Sequence, residues 1–492
     1  MATFLNRPTT PSPQTDAPAT DAPVRNSYDP ATPDALCEFM LEHWGERAQH
    51  PDDGPLRHLP NFAARRRKLS ALFPGETLVI PTGHPKVRAN DTYYPFRAGS
   101  DFFYFTGNLE PDCVLVMEAT AEGHTDILFV EPSGRTDPSF FTDRVRGEFW
   151  AGPRLGVERS AARYGMSECR SMRDLAIFVA DLCGRAGDKL RVLRGFSEMV
   201  DTALPGGGDH AAFGVALSEM RLLKDAVEIA ELQKAIDSTQ RGFEDVIAAL
   251  PHAPTERHLE GIFTMRARTD GNDVGYGSIV ASGAHACILH WTRNDGILNP
   301  GELLLLDAGV EGHALYTADI TRTLPVRGRF SPAQRAIYDL VYAAQEAAIQ
   351  AVKPGADFLE PNRVAMRILA QGLHELGILQ GSVEDAMRDD QQLYRRYSLH
   401  NVSHMLGIDV HDCARAREQE YKLGTLAEGM VLTVEPGLYF QADDLTVPEQ
   451  YRGIGIRIED DILVTDTGFR NLSAAIPRTA ADVEAWMTGI QT

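Results

Sequence analysis

Five side chains able to bind metal stand at the ends of apolar runs or beside them. Asp307 closes LLLLD, Asp319 lies in YTADITRT, Glu435 closes VLTVE ahead of Pro436-Gly437, Glu459 falls in GIGIRIEDDILV, and His404 sits inside HNVSHMLGIDVHD. A buried carboxylate is costly unless it is paired or bound to a metal. Each acid alone has an ordinary reading, as a turn residue or a solvated strand end. Together, two Asp, two Glu and one His suit two divalent cations that share carboxylates and lie about 3.5–4 Å apart, with a water between them. So oxygen-rich a set favours Mn²⁺, Co²⁺ or Fe²⁺ over a structural zinc, which prefers thiolates.

The run His400–Asp412 places three histidines and two aspartates within thirteen residues, beside Met405, Leu406, Ile408 and Val410. Titratable groups gathered next to apolar anchors read either as a polar loop or as one wall of a reaction site. Satisfied core histidines are the alternative for His400 and His411. His252, His258 and His313 stand apart from the pattern and read as surface or loop residues.

The elements around these residues must bring them together. Asp307 and Asp319 are joined closely enough to form a hairpin, which sets the two aspartates side by side. Period-two alternation turns Ile456 and Ile458 to one face and aims Arg457 and Glu459 together at the other. Asp225 can cap a helix whose apolar positions Val227, Ile229, Leu232 and Ile236 keep helical spacing, continuing to Leu250. From Gly277 onward, strands alternate with long helices. Upstream, FAARRRKLSALF is an Arg-rich helix, TLVIP, FFYFTG, CVLVMEA and DILFV are strands, and Arg173–Cys183 is helical. Gly206-Gly207-Gly208 is the linker candidate. The organisation is a tail over residues 1–34, an α/β domain over 35–215 and a second domain over 216–492.

A length of 492 residues agrees with two or three domains. The formal charge of −21 argues against nucleic acid or an anionic membrane as partner, since either would be repelled. Six widely spaced cysteines with no CxxC pair fit reduced thiols in a cytoplasmic protein. The Pro-, Thr- and Ala-rich tail lacks the apolar region of a signal peptide, and no run approaches the ~20 apolar residues of a membrane span.

In order and local context, Asp307, Asp319, His404, Glu435 and Glu459 resemble the ligand pattern of the pita-bread metallopeptidases. DITRTLPVRGRFSPAQRAIYDLV, SHMLGIDVHD, LTVEPGLY and VPEQYRGIGIRIEDDILVT, with NDTYYPFRAGSDFFYFTG upstream, are most similar to the aminopeptidase P branch of that family. The resemblance implies a creatinase-like α/β domain followed by a C-terminal pita-bread domain, a curved antiparallel sheet covered by helices. It implies release of the N-terminal residue from peptides with proline second. Prolidase action on Xaa-Pro dipeptides is the near alternative, and a non-catalytic module that binds peptides or proteins the remote one. It also implies two divalent ions per chain, Mn first, with Zn or Co as substitutes. Asp307 would bind one ion, Asp319 and Glu459 would bridge both, and His404 and Glu435 would complete the other. Glu435 would also serve as general base. His290, in CILHWTRND, would contact substrate and shuttle protons, His411 would be a second such histidine, and His400 would line the proline pocket. Arg457 would support a ligand aspartate. Members of the family commonly assemble as homodimers or homotetramers through the N-terminal domain. The turn EGHAL between Asp307 and Asp319 is one residue longer than the commoner pattern.

Overall fold

A computed structural model describes residues 32–45, 54–135, 137–204, 210–419 and 421–492. The tail before residue 32 and the Gly206–Gly208 linker lie outside the described residues. The chain divides into two units. The smaller takes in the described parts of residues 1–49 and 133–154. It contains the helix Asp34–Leu41 and two single turns, Ser139–Thr142 and Glu148–Ala151. These gather about Phe141, whose ring meets Trp44 (centroids 6.1 Å apart) and Phe149 (5.8 Å).

The larger unit, residues 50–132 and 155–492, begins with a five-stranded mixed sheet. Its strands are β1 (Thr77–Pro81), β2 (Val114–Thr120), β3 (Gly123–Val130), β4 (Glu168–Ser171) and β5 (Leu190–Val192), in the order β4-β3-β2-β1-β5. Side chains alternate between its faces. Leu78, Ile80, Leu115, Met117 and Leu128 pack with Leu69 of helix α1 (Leu59–Leu72) and with Phe102 and Phe105 of α2 (Ser100–Thr106). Val79, Val114, Val116, Ile127 and Phe129 pack with Phe178 and Leu182 of α3 (Leu175–Ala186).

The segment FFYFTG, expected as a strand, is helix α2 followed by its cap. Phe102, Phe103, Tyr104, Phe105 and Thr106 are all buried, and Gly107 ends the helix at φ +67° with its N–H bonded to the Phe103 carbonyl. A short helix enclosed on every side shows an unbroken apolar run, which is also the pattern of a buried strand.

Helix α4 (His210–Leu222) runs across residues 215 and 216, where the sequence divides into its expected domains. Helix α5 (Ala226–Ala249) begins where Asp225 places it. The Asp225 carboxylate accepts from the Val227 and Glu228 N–H groups (2.8 and 3.0 Å), and Glu228 accepts in return from the Asp225 N–H (3.0 Å). This reciprocal cap satisfies donors that the first helical turn leaves free. Arg65 of α1 donates to the same aspartate at 2.9 Å, tying the first half of the unit to the second.

The strands that follow pair only antiparallel. β7 (Leu303–Ala308) lies between β6 (Ile279–Ser282) and β8 (Ile320–Pro325). Further on come β9 (Val431–Val434), β10 (Gly437–Tyr439), β11 (Gly455–Arg457), β12 (Asp460–Val464) and β13 (Phe469–Asn471). β12 lies between β9 and β13, and β10 pairs with β11. Helices α5, α6 (Glu256–Asp270), α7 (Pro332–Gln350), α8 (Glu360–Glu375) and α9 (Ala480–Gln491) cover one side. There Leu304, Leu306, Ile320, Leu432, Val434, Ile456 and Ile458 share a core with Phe243, Phe263, Ile337, Val341, Leu369 and Val483. Period two then sends Asp307, Thr321, Thr323, Thr433, Arg457 and Glu459 to the other face. Among the described residues no helix is long and apolar enough to cross a membrane.

Candidate metal centre

Strand pairing sets the first two acids. β7 and β8 place Asp307 opposite Thr321, and Asp319 stands immediately before β8. The Tyr276 hydroxyl spans the pair, with its oxygen 2.6 Å from Asp307 Oδ1 and 2.5 Å from Asp319 Oδ1. The turn between them is clamped from outside. Glu311 accepts from Arg97 Nε (2.5 Å) and Asn272 Nδ2 (2.6 Å), and Arg97 Nη2 also donates to the Ile408 carbonyl (2.8 Å).

The histidine run lies along β9. Leu406 N–H donates to Val431 O, Thr433 N–H to His404 O and Glu435 N–H to Val402 O, at 2.9–3.0 Å. This register sets His404 beside Glu435, and buried Met405, Leu406 and Ile408 hold it there. His404 Nδ1 donates to the Met405 carbonyl (3.1 Å), so Nε2 faces Asp319 Oδ2 at 3.2 Å and Glu435 Oε1 at 3.6 Å.

Arg457 and Glu459 enter from the far side. Arg457 Nη2 donates to Asp307 Oδ2 (2.5 Å), and its Nε to Thr321 Oγ1 (3.2 Å). Thr321 Oγ1 donates in turn to Glu459 Oε2 (2.6 Å), so one threonine links both residues that period two aimed at this place. Arg457 Nη1 donates to the Tyr439 oxygen (2.9 Å), and the Tyr439 O–H reaches His400 Nε2 (2.8 Å). His400 Nδ1 then donates to the Asn401 carbonyl (2.9 Å), which fixes the tautomer of the ring. Burial first, and the Arg457 charge second, bring His400 down to about 4. His400 is a neutral ring at working pH.

The electrostatics test whether these residues fit cations. Burial and mutual repulsion with Asp319 push Asp307 up, against the pull of Arg457. Glu459 is pushed well above the usual carboxylate range by burial and by Asp319, Glu435 and Asp307. Burial also raises Glu435, to about 7, with His404 and Arg457 pulling the other way. Asp461, buried two positions after Glu459, is raised too, and its Oδ1 has no hydrogen-bond partner. Several buried carboxylates therefore face one arginine and one histidine, and against its burial His404 is raised by Asp319 and Glu435. A dication would answer this excess of negative charge, and an oxygen-rich donor set with one imidazole suits such an ion. Asp319, His404 and Glu459 each offer an atom within 4.8 Å of the others'. Glu435 flanks that triad, and Asp307 joins it through Tyr276.

The remaining histidines border the site. The His411 ring lies edge-on to His404, centroids 4.3 Å apart, and burial and the His404 charge bring His411 down. His290 lies on the loop after β6, within electrostatic range of His400 and His411. His252, His258 and His313 are exposed.

Tyr276, Thr321 and Tyr439 were not singled out from sequence. Tyr439 had a local signal, since it follows Gly437 at period two on β10, four residues after Glu435. Tyr276 had none, because it precedes β6 in an irregular segment and meets its partners 31 and 43 residues on.

Residues 230–466 match the model of metallopeptidase family M24, and residues 62–191 that of the aminopeptidase P N-terminal domain. The chain is 51% identical to Xaa-Pro aminopeptidase 1 of Streptomyces coelicolor over 95% of its own length and 94% of that protein. It is similar to the solved structure of Escherichia coli aminopeptidase P with the inhibitor Pro-Leu (TM-score 0.80, 33% identity, 89% of this chain and 100% of that one). The zinc-substituted Escherichia coli enzyme in complex with product matches equally closely (TM-score 0.79, 33% identity, 89% and 100%).

Proposed function

We propose, for a chain that belongs to the Xaa-Pro aminopeptidases of metallopeptidase family M24, that Asp307, Asp319, His404, Glu435 and Glu459 hold two divalent cations beside Glu435 as general base. The chain is a metallo-aminopeptidase that releases the N-terminal residue from peptides with proline in second position. The observation that carries the site assignment is His404. Its Nδ1 proton is committed to Met405, while Nε2 faces two carboxylates at 3.2 and 3.6 Å, a vector that a cation satisfies.

Bound cations supply an activated water and a polarised substrate carbonyl. The chain's own groups handle protons and position. Glu435 takes the proton of the attacking water and returns it to the leaving imino nitrogen. His290 and His411 contact the peptide beside the cluster and stabilise charge that develops on the carbonyl oxygen. His400, neutral and held by Tyr439, offers an uncharged wall to the pyrrolidine ring. Arg457 fixes Asp307 and balances part of the site's negative charge. Manganese suits the set best, since four of its five donors are carboxylates. Six cysteines, none in a disulfide, support a cytoplasmic location. Assembly as a homodimer or homotetramer rests on the family resemblance.

A substrate panel tests this reading. Manganese-loaded protein is assayed on Xaa-Pro-Yaa tripeptides, Xaa-Pro dipeptides and Met-Ala-Yaa peptides, with product identified by mass. Release of Xaa from the tripeptide is expected. Activity confined to dipeptides would make the chain a prolidase, and bound metal with no cleavage would favour a binding module.

A further inference from the structure

We propose that Glu256 is a positioning residue for the reaction, holding the loop that carries His290 in register with the metal centre. The inference rests on the reading of His290 as a group that contacts substrate.

Glu256 is the first residue of α6, and its side chain is fully buried. It reaches into the loop that follows β6. Oε1 accepts from Ser282 N–H (2.7 Å), Ser282 Oγ (3.0 Å) and His285 Nδ1 (2.8 Å). Oε2 accepts from Trp291 Nε1 (2.8 Å) and Gly296 N–H (2.7 Å). Five donors spread over residues 282–296 thus converge on one carboxylate. The backbone closes the same ring, since Glu256 N–H donates to the Gly296 carbonyl (3.0 Å). Gly296 is required by the closeness of the approach, because a Cβ there would lie 2.7 Å from the Glu256 carboxyl carbon. His285 and Trp291 add a stacked pair, ring centroids 3.9 Å apart and 24° from parallel.

His290 sits between these anchors, next to Trp291. Among the described residues none hydrogen-bonds its imidazole, so its position is inherited from the loop backbone. Its carbonyl accepts from Thr292 N–H (3.0 Å), which turns the chain immediately after it. The imidazole is exposed and lies within electrostatic range of His400 and His411. An exposed ring on a loop is held for catalysis only if the loop is held, and Glu256 joins both ends of this one. The carboxylate carries its charge there. Burial opposes ionisation, but the bonds from Ser282, Trp291, His285 and Gly296 outweigh it and bring Glu256 below its usual range. Glutamine cannot substitute, because its amide nitrogen would turn donors toward donors at one end of the fork.

The test is a double-mutant cycle on the metal-loaded enzyme with an Xaa-Pro-Yaa substrate. Glu256→Gln is expected to lower kcat by roughly 10²-fold through misplacement of a reacting group, with a smaller change in KM. Trp291→Phe, which keeps the stacked ring and removes one donor, is expected to lower kcat by about tenfold or less by the same effect. In a His290→Ala background each change is expected to cost less than about threefold further, the sign of two residues acting through one path. If Glu256→Gln does not fold, the Trp291→Phe cycle alone decides. Full additivity with an impaired His290→Ala enzyme overturns the positioning role and leaves the proposed function standing. An unimpaired His290→Ala enzyme overturns the assignment of His290, and this inference with it.

Discussion

Tyr276→Phe removes a single hydroxyl from the centre of the site and keeps the ring. The phenol oxygen lies 2.6 Å from Asp307 Oδ1 and 2.5 Å from Asp319 Oδ1, but it has one proton to share between two acceptors. The loss is therefore one charge-assisted hydrogen bond, worth about 1.5–3 kcal/mol. An independent route gives a similar figure. Removing a partner that orients metal-binding side chains costs about 10–100-fold in metal affinity, or about 1.4–2.8 kcal/mol at 1.4 kcal/mol per tenfold. Mn²⁺ titrated calorimetrically into the apo variant, with chelator competition for the tighter ion, is expected to bind 10–100-fold more weakly than to the unaltered protein. Thermal unfolding provides the linked check. At saturating metal the variant should lose up to about 2.7 kcal/mol of metal-dependent stabilisation, the value for a hundredfold change in Kd. Mn²⁺ affinity within twofold of the unaltered protein would refute the reasoning, because the two aspartates would then be held without the phenol.

Two further outcomes follow from residues distant from the cluster in sequence. Arg97→Met leaves buried Glu311 with Asn272 alone and frees the Ile408 carbonyl; because Arg97 is itself about one-third exposed, the expected loss is at the lower end for a broken ion pair, about 1–3 kcal/mol by denaturant unfolding. A loss below about 0.5 kcal/mol, the level of an ordinary surface change, would count against the clamp. Glu256 supplies the pH prediction: its carboxylate is held below its usual 4.5, so the stability it contributes is complete above pH 4.5 and is lost as pH falls through the lower folded value. The stability gap between the unaltered protein and Glu256→Gln, measured on metal-free forms, should narrow on acidification from pH 6 to 3, and a gap that widens would exclude an ionised Glu256.

How far the site could be read from sequence follows the range of the interactions. Asp307, Glu435 and Glu459 sit in or beside apolar strands, where a carboxylate is conspicuous, and alternation over Ile456–Glu459 suffices to pair Arg457 with Glu459. The Asp225 cap is equally local, needing only Glu228 three residues on. Local pattern fails where burial is complete or contacts are distant. Phe102–Phe105 show no helical period because α2 is enclosed on all sides. Arg97 meets Glu311 across 214 positions, and Glu256 gathers partners 26 to 40 residues away. A composition or a period cannot carry such pairings. The groups that could bind metal were legible, whereas most of those that hold them in place were not.

Three consecutive acids show how the fold separates a structural carboxylate from a functional one. Glu459, Asp460 and Asp461 are all buried, exposed by 1%, 0% and 0%, so all three bear the cost of desolvation. Asp460 turns toward the helices and is fully answered. Arg322 (2.8 Å) and Ser473 (2.7 Å) donate to Oδ1, Gln345 (3.0 Å) donates to Oδ2, and Arg478 Nε lies 3.2 Å from Oδ2. Arg322 is itself satisfied by the carbonyls of Thr321, Glu459, Ile476 and Pro477. Glu459 and Asp461 turn the other way and meet a threonine hydroxyl and a backbone N–H, and among the described residues no arginine or lysine is hydrogen-bonded to either. The chain therefore has arginines to spare for a buried acid and places them one residue away from where the site's negative charge accumulates. Because an isolated ionised carboxylate in the interior is destabilising by several kcal/mol, Glu459 and its neighbours ionise together only where positive charge is supplied. The divalent cations proposed for the site would supply it, and the need for them is written in the alternation of Glu459, Asp460 and Asp461.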